Sequence, residues 1–321
     1  MPVISSNYKR PFYLFSKHIE TIHHVFLRNT SDVMYEREQI ELPDGDFLHL
    51  DWSRKGHDRL VIITHGLEGS ANSNYSRGMV RAANLNGCDA LAWNMRGCSG
   101  VMNRLYRLYH SGETSDLHHV IHHAIDQKRY KKIYLIGFSI GGNITLKYLG
   151  EQSNDVHPSI RASVCFSVPC DLKSGAEHFA KRKSKIYMIR FLNSLHKKLK
   201  AKQAQYPDKI NLEGFHKIKN FHDFDERYTA PMHGFADAEQ YWKVCSSKYY
   251  LHAVRVPTLL INALNDPFLT PDCYPIKEAE QNSYLFLEMP ETGGHCGFYQ
   301  KNKNKLYWSD LRAMQFINQH M

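Results

Sequence analysis

The sequence predicts an α/β protein with a mainly parallel sheet, helices on both of its faces and one inserted helical region. Three observations lead to this fold class. Compact apolar runs recur along the chain, helical patterns separate several of them, and one polar, basic stretch interrupts the alternation. Apolar strands that alternate with helices are typical of a parallel sheet that is buried on both faces.

The composition of the 321-residue chain excludes a disordered protein. Hydrophobic residues make up 42% and aromatic residues 12%, which is enough to bury a sizeable core. The formal net charge is +9, from 41 Lys and Arg against 32 Asp and Glu, which permits contact with an anionic partner. Bulk charge alone does not indicate a nucleic-acid partner, and we expect none.

Cysteine usage and the first residues indicate the compartment. Seven cysteines are an odd count without a C-x-x-C pair, which favours reduced thiols. The amino-terminal segment breaks every apolar stretch with a polar, charged or proline residue, and so predicts no secretory signal. No window reaches the roughly 18 apolar residues of a membrane-spanning helix. We therefore expect a cytoplasmic protein, whose oligomeric state stays open.

The predicted elements follow one another in a regular order. The alternating runs EREQIEL and DFLHLDW flank the turn at Pro43, Asp44 and Gly45, which predicts a β-hairpin. Six apolar runs then predict strands: RLVIITHG (59–66), CDALAWNMRG (88–97), KKIYLIGFS (131–139), RASVCFSVP (161–169), VPTLLINALND (256–266) and YLFLEMPE (284–291). Helical patterns lie at 75–86, 116–128 and 140–149, and KLYWSDLRAMQFINQ predicts a closing amphipathic helix.

Residues 172–250 interrupt this alternation. The stretch is polar and basic, with nine Lys or Arg in residues 181–202, and it lacks a convincing buried strand. We interpret it as a helical cap, or lid, inserted over the carboxyl edge of the sheet. The chain then divides into a core of residues 1–171 and 251–321 and a cap of residues 172–250.

Glycines surround Ser139 in the stretch YLIGFSIGGN (134–143). Gly137-Phe138-Ser139-Ile140-Gly141 matches the G-x-S-x-G nucleophile elbow, and it lies between a predicted strand and a predicted helix as that motif requires. Side chains two residues before and after the serine would collide in so sharp a turn, which explains Gly137 and Gly141. We expect Ser139 to be a nucleophile.

A serine nucleophile needs a base that takes its proton and an acid that orients the base. In a fold with this elbow the acid follows the serine and the histidine comes last. Asp266 ends a predicted strand, and His295 lies in a glycine-bracketed loop after the last one, so both fall at the carboxyl edge of the sheet. Asp171, after an earlier strand, is the alternative acid. We favour Asp266 because it ends the penultimate strand.

The same chemistry requires an oxyanion hole. One donor is expected from the backbone N–H of Ile140, directly after the nucleophile, and the other from the loop HGLEG (65–69). We assign the second donor to the backbone N–H of Leu67.

The chain resembles the α/β-hydrolase superfamily and, within it, the YheT-like (AB-hydrolase 4) esterases. The blocks that carry the resemblance span nearly the whole chain: SKHIETI (16–22), HGLEGS (65–70), NMRGCSG (94–100), YHSGETSDL (109–117), GFSIGGN (137–143), FDERYTAP (224–231) and GGHCGF (293–298). The resemblance implies a triad of Ser139, Asp266 and His295 and hydrolysis of short-to-medium acyl or lipid esters. No cofactor is expected. Some relatives are acyltransferases with an H-x4-D motif, but five residues separate His110 from Asp116 here, so that role is not carried over.

Two further patterns have competing interpretations. In DLHHVIHH (116–123), His118 with His122, and likewise His119 with His123, has a spacing that can hold zinc. No carboxylate or cysteine on the same face completes a site, so we expect no metal. In residues 183–202, an apolar stripe of Ile186, Ile189, Leu192, Leu195 and Leu199 lies opposite lysines. Such a helix either packs its stripe on its own domain, which we favour, or makes weak peripheral contact with an anionic membrane.

Two rival functions stay open at this point. The same triad serves thioesterases, amidases and acyltransferases, which sequence does not separate because pocket and lid decide the substrate. The other rival is a non-catalytic, membrane-associated binding protein. The intact set of elbow glycines, serine, acid and histidine speaks against it.

Overall fold

Nine strands form one sheet in the part of the chain that the computed structural model describes, residues 2–181, 185–302 and 304–320. They are β1 (Val3–Ile4), β2 (Glu36–Glu41), β3 (Phe47–Ser53), β4 (Arg59–Thr64), β5 (Asp89–Asn94), β6 (Lys132–Phe138), β7 (Ile160–Phe166), β8 (Thr258–Ile261) and β9 (Leu285–Glu288). Their order in the sheet is β1-β9-β8-β7-β6-β4-β5-β3-β2. The pairs β2–β3 and β3–β5 are antiparallel and the other described pairs are parallel. The predicted mainly parallel sheet is confirmed.

Eleven α-helices accompany the sheet among the described residues. They are α1 (Lys17–Leu27), α2 (Asn74–Leu85), α3 (Thr114–Asp126), α4 (Ile140–Gln152), α5 (Leu172–Phe179), α6 (Lys185–Gln205), α7 (Phe221–Phe224), α8 (Ala230–His233), α9 (Ala238–Cys245), α10 (Ile276–Gln281) and α11 (Trp308–Gln319). A single π-helical turn, Asp225–Thr229, joins α7 to α8. None of the described helices has both the length and the apolar character needed to cross a bilayer.

The predicted hairpin, the six predicted strands and the four predicted helices all form, each within a few residues of its expected bounds. The hairpin turns at Gly45, whose φ of +83° is a conformation that glycine adopts without steric cost. Outside residues 172–250, three of the strands and α-helices were not predicted: β1, α1 and α10. The strand β1 has two residues and pairs with β9 from the other end of the chain, so no local pattern marks it.

The core lies on both faces of the sheet, as the continuous apolar runs require. Along β4, Val61 and Ile63 belong to the cluster on the face that α2 and α11 cover. The alternate residues Leu60 and Ile62 belong to the cluster on the opposite face, which α3 and α4 cover. Successive side chains of any strand point to opposite faces of the sheet, and here both faces are buried.

Residues 172–250, called the helical segment below, hold α5 to α9 and no strand among their described residues. Part of the predicted stripe on α6 packs inward, because Leu192, Leu195 and Leu199 are buried in a cluster of their own. Ile186 and Ile189, at the start of α6, are instead 83% and 48% exposed. Residues 182–184, which include the first two residues of the predicted stretch, lie outside the described residues.

Candidate active site

Ser139 lies at the sharp turn between β6 and α4. Its φ of 54° and ψ of −123° are a backbone conformation that residues with a side chain rarely adopt. A Cβ at Gly137 would run into the backbone of Gly142, and a Cβ at Gly141 would run into the backbone of His65. The two glycines therefore let strand, helix and neighbouring loop approach closely enough to hold the strained serine.

His295 and Asp266 form a hydrogen bond, with 2.9 Å between Nδ1 of the histidine and Oδ2 of the aspartate. The Asp266 side chain has no exposed surface, and its Oδ1 accepts the N–H of Phe268 at 2.8 Å. When Nδ1 of His295 carries the proton that this bond uses, Nε2 is left as the basic nitrogen. The loop is held from behind, because Thr21 Oγ1 accepts the His295 N–H at 3.0 Å.

Ser139 and His295 line the same cavity, which has a volume of about 430 Å³. Asp266 does not line it and lies behind His295. The loop that follows β4 passes against the serine, since a Cβ added to Gly66 would lie 3.1 Å from Cβ of Ser139. Three chain segments that are far apart in sequence thus meet beside one cavity.

The two residues expected to supply the oxyanion donors, Leu67 and Ile140, line the same cavity as Ser139. Ile140 is the first residue of α4, so its N–H has no partner within the helix. Leu67 follows Gly66 in the loop after β4 and lines the cavity, as does Ile140. The N–H of the next residue, Glu68, donates a hydrogen bond to the Tyr109 hydroxyl at 2.9 Å.

The alternative acid, Asp171, has different partners. Its Oδ1 accepts the N–H of Ser174 at 3.0 Å and so caps the start of α5. Its other oxygen pairs with the ammonium group of Lys248. Asp171 therefore serves a helix end and an ion pair, whereas Asp266 contacts the histidine.

The cavity walls are mainly apolar and come from several parts of the chain. One wall is α1, which contributes Ile22 and Val25, and a second is the loop after β4. The helical segment supplies most of the apolar side chains, among them Leu172, Phe179, Phe191, Leu195, Leu199, Phe221, Phe224, Met232 and Trp242. A cavity of this size and lining is typical of a site for a small, largely apolar ligand.

Burial shifts the pKa of several titratable groups in the cavity wall, among them Asp225 and His233. Burial raises the pKa of Asp225 to about 6, although the carboxylate accepts the Thr229 hydroxyl at 2.6 Å and the Trp242 indole N–H at 2.9 Å. Burial lowers the pKa of His233 to about 3, so this ring is neutral at physiological pH. Its buried Nδ1 has no hydrogen-bond partner among the described residues.

Among the described residues, one group of potential metal ligands lies close together, and it differs from the histidine pairs considered in the sequence. His110, Glu113 and His233 bring one ligand atom each within 4.8 Å of one another. The Glu113 carboxylate already pairs with the Arg107 guanidinium at 2.8 Å. The positive charge of Arg107 would repel a metal ion bound at this position. The pair His118 and His122 on α3, for which the sequence predicts no metal, has ring centroids 4.1 Å apart. We assign no metal to either group.

Sequence reasoning missed two contributors to the site. One is α1, whose Thr21 hydroxyl accepts a hydrogen bond from the His295 N–H. On the same helix, the Glu20 carboxylate accepts a hydrogen bond of 2.7 Å from the side-chain amide of Asn265, the residue before Asp266. The other is Lys198 of α6, which bonds Glu68 in the expected oxyanion loop at 2.7 Å. The only local signal is the stretch SKHIETI (16–22), which is one of the blocks that carry the family resemblance. No local pattern connects Lys198 with Glu68.

A family model described as the alpha/beta hydrolase fold matches residues 59–302. The chain belongs to the α/β-hydrolase family. Within it, the chain is 36% identical over 267 residues to the putative esterase YheT of Escherichia coli, covering 81% of this chain and 78% of that protein. It is therefore a YheT-like α/β-hydrolase of the esterase and lipase type.

Two other relatives are more distant. The phospholipase ABHD3 of Mus musculus is 26% identical and covers 93% of this chain and 75% of its own length. The monoacylglycerol lipase of Saccharomyces cerevisiae is 28% identical and covers 84% of this chain and 60% of its own length. A solved esterase of Pyrococcus furiosus superposes with a TM-score of 0.60 at 18% identity, covering 90% of this chain and 92% of that one. That likeness shows the α/β-hydrolase fold.

Proposed function

We propose that this α/β-hydrolase cleaves carboxylic esters with apolar acyl chains, lipid esters above all, through Ser139, His295 and Asp266. The observation that carries the proposal is the 2.9 Å bond between His295 and Asp266 beside a cavity that Ser139 also lines. Relatives named as an esterase, a phospholipase and a monoacylglycerol lipase support the substrate class.

In the first half of the reaction, Nε2 of His295 takes the proton of the Ser139 hydroxyl. The serine oxygen forms a bond to the ester carbonyl carbon, and the carbonyl electron pair moves onto its oxygen. Asp266 holds the imidazole in the required tautomer and stabilises its positive charge. When the tetrahedral intermediate collapses, the bond to the alcohol breaks and His295 gives the alcohol its proton.

The developing oxyanion accepts hydrogen bonds from the N–H groups of Leu67 and Ile140. Each such donor typically stabilises the transition state by about 2.7–4 kcal/mol. The amino end of α4, which starts beside Ser139, adds a favourable dipole for negative charge. Water, activated by His295, then attacks the acyl-enzyme by the same route in reverse and releases the acid.

We also propose that the helical segment, residues 172–250, acts as a cap on a core formed by residues 1–171 and 251–321. Its side chains supply most of the apolar cavity wall, including Phe191, Leu195 and Trp242. The expected role of this wall is to bind the acyl chain, because it removes apolar surface from water beside the reactive serine. The cap therefore sets the preferred acyl length.

Covalent labelling tests the assignment of the nucleophile. We expect a fluorophosphonate probe to label the protein and Ser139→Ala to abolish both labelling and ester hydrolysis, because no other group would form the acyl-enzyme. The matched control is Ser76→Ala. Ser76 is a buried serine of α2 whose hydroxyl has no partner among the described residues, and this variant should label like the wild type.

Absence of labelling, or equal labelling of Ser139→Ala, would leave a binding protein as the better explanation.

A nitrophenyl ester series of increasing acyl length tests the substrate class with the Ser139→Ala variant as the blank. We expect kcat/KM to rise from acetate to longer chains as the apolar wall is filled. A maximum at acetate would contradict the acyl-binding role of the helical segment.

A further inference from the structure

Half of the exposed large apolar side chains of the described residues belong to two short stretches of the chain. Eighteen large hydrophobic side chains of the described residues are exposed, and nine of them belong to residues 12–27 and 186–189: Phe12, Tyr13, Phe15, Ile22, Val25, Phe26, Leu27, Ile186 and Ile189. Single exposed apolar residues are normal on a protein surface, but a contiguous group indicates an interaction site. We call Ile22, Val25, Phe26, Ile186 and Ile189 the mouth surface.

The two helices that carry the mouth surface, α1 and α6, contact each other. The ring of His18 on α1 contacts the Tyr187 hydroxyl on α6, with 3.1 Å between Nδ1 and Oη. On α1, residues 22, 25 and 26 are spaced by three and four and so share one face of the helix. On α6, Ile186 directly precedes Tyr187, and Ile189 follows Ile186 by three residues and so lies on the same side of the helix.

The mouth surface is also continuous with the catalytic cavity. Ile22 and Val25 are exposed and at the same time line the cavity, which means that they border its opening. From α6, Tyr187 and Arg190 line it as well. The Tyr187 ring lies 4.7 Å from the ring of Phe268, which in turn lies 4.4 Å from the ring of His295.

The charge around the opening is positive. Lys17, Lys185 and Arg190 are exposed on the two helices that form the mouth surface. Residues 10–28 contain one acidic residue, Glu20, which is 1% exposed, and residues 181–205 contain no Asp or Glu at all. An apolar patch bordered by exposed cations is complementary to the interface of a bilayer that contains anionic lipids.

We propose that the mouth surface docks this hydrolase onto an anionic lipid bilayer, with the cavity opening toward the lipid. The inference rests on the proposed function, because a lipid ester would then pass from the bilayer past Ile22 and Val25 into the cavity without crossing water. A protein partner or a second copy on the same surface would close the opening, whereas a bilayer supplies the substrate.

The proposal relocates the membrane contact that the sequence allows as an alternative. Lys198 and Lys202 of the basic helix turn inward, Lys198 to Glu68 and Lys202 to backbone carbonyls of Asn103 and Leu105. The contact therefore uses α1 and the first turns of α6 instead of the whole lysine face.

Vesicle sedimentation tests the docking surface with the full chain. We expect binding to vesicles of phosphatidylcholine with phosphatidylglycerol, weaker binding to phosphatidylcholine alone, and loss of binding as salt screens the charges. The variant Phe26→Asp with Ile186→Asp should bind the anionic vesicles about tenfold or more weakly. These two side chains are 74% and 83% exposed and do not line the cavity, so the fold and the catalytic groups stay intact.

The matched control carries the same chemical change elsewhere. Leu85→Asp with Val101→Asp replaces side chains that are 61% and 51% exposed and that do not border the opening. This variant should bind vesicles like the wild type. Equal binding by both double variants would overturn the proposal, as would a dimer in solution that the mouth variant dissociates, because a second copy would then cover the surface.

Activity measurements separate this proposal from the proposed function. The mouth variant should hydrolyse a water-soluble acetate ester at the wild-type rate and lose activity on an ester embedded in anionic vesicles. The Ser139→Ala variant should bind vesicles normally and hydrolyse neither ester. Vesicle binding that depends on the mouth surface, together with full activity in Ser139→Ala, would refute the proposed function alone. Normal hydrolysis by the mouth variant on vesicles would refute the docking proposal alone.

Discussion

Two aspartates, Asp266 and Asp171, each follow a strand at the carboxyl edge of the sheet, and their surroundings separate their roles. Asp266 has no exposed side-chain surface and bonds Nδ1 of His295, while Asp171 caps α5 and pairs with Lys248. A carboxylate that contacts the imidazole fixes its tautomer, which a carboxylate bound elsewhere does not do. Residue-level geometry thus supports our choice between two candidates that the sequence leaves open.

This contrast gives a prediction at the residue scale. Asp266→Asn should lower kcat by about ten thousand-fold, because an amide no longer selects the imidazole tautomer with a basic Nε2. Asp171→Asn should keep near wild-type activity, because asparagine also caps helices well. The measurement is steady-state hydrolysis of a nitrophenyl ester by both variants. A large loss in Asp171→Asn with an active Asp266→Asn would reverse the assignment.

At the scale of elements, α6 is connected to the loop that carries the expected oxyanion donor. The Glu68 carboxylate accepts three hydrogen bonds. The donors are the Lys198 ammonium at 2.7 Å, the Tyr109 hydroxyl at 2.7 Å and the Ser194 hydroxyl. Glu68 itself has a φ of 54°, a conformation that costs energy for a residue with a side chain. We interpret Lys198 as a positioning residue that holds the loop beside Ser139 through Glu68.

The corresponding prediction concerns Lys198→Met. The change removes the cationic partner of a buried carboxylate, so we expect the loop to shift and kcat to fall about 10- to 100-fold with a smaller change in KM. The rate of fluorophosphonate labelling should fall in parallel, and Lys198→Arg should restore part of both. Lys197→Met, at the exposed neighbouring position, is the control. Wild-type labelling by a folded Lys198→Met protein would contradict the positioning role.

At the scale of the whole molecule, a buried charge network joins parts of the chain on the antiparallel side of the sheet. The Arg96 guanidinium bonds Asp116 at the start of α3 at 2.7 and 2.8 Å, Asp44 at 2.8 Å and Asp46 at 2.9 Å. The last two belong to the hairpin turn between β2 and β3. The network therefore ties the hairpin, the loop after β5 and α3 together.

We expect Arg96→Met to destabilise the protein by about 3–5 kcal/mol, because it leaves buried carboxylates without their cationic partner. Arg104→Met is the control. Arg104 pairs with Glu41 at the surface, where both side chains are largely exposed, and its loss should change stability little. Urea unfolding followed by circular dichroism measures both variants. Equal midpoints for Arg96→Met and the wild type would show that the network does not stabilise the fold.

The sequence by itself determined the order of the strands along the chain, the hairpin, the main helices and the elbow at Ser139. Each of these depends on neighbours within about ten residues: the period of apolar residues, or the glycines that relieve a sharp turn. It also determined the chain order of serine, acid and histidine, from which the candidate triad follows.

Only the tertiary structure decided which surfaces meet. It brought α1 under the His295 loop, turned Lys198 and Lys202 inward, and left Ile186 exposed beside the cavity opening. These contacts join residues separated by about 100 positions or more, and no local periodicity encodes such a pairing. Whether a helical lysine faces water or a buried carboxylate depends on what the rest of the chain places against that helix.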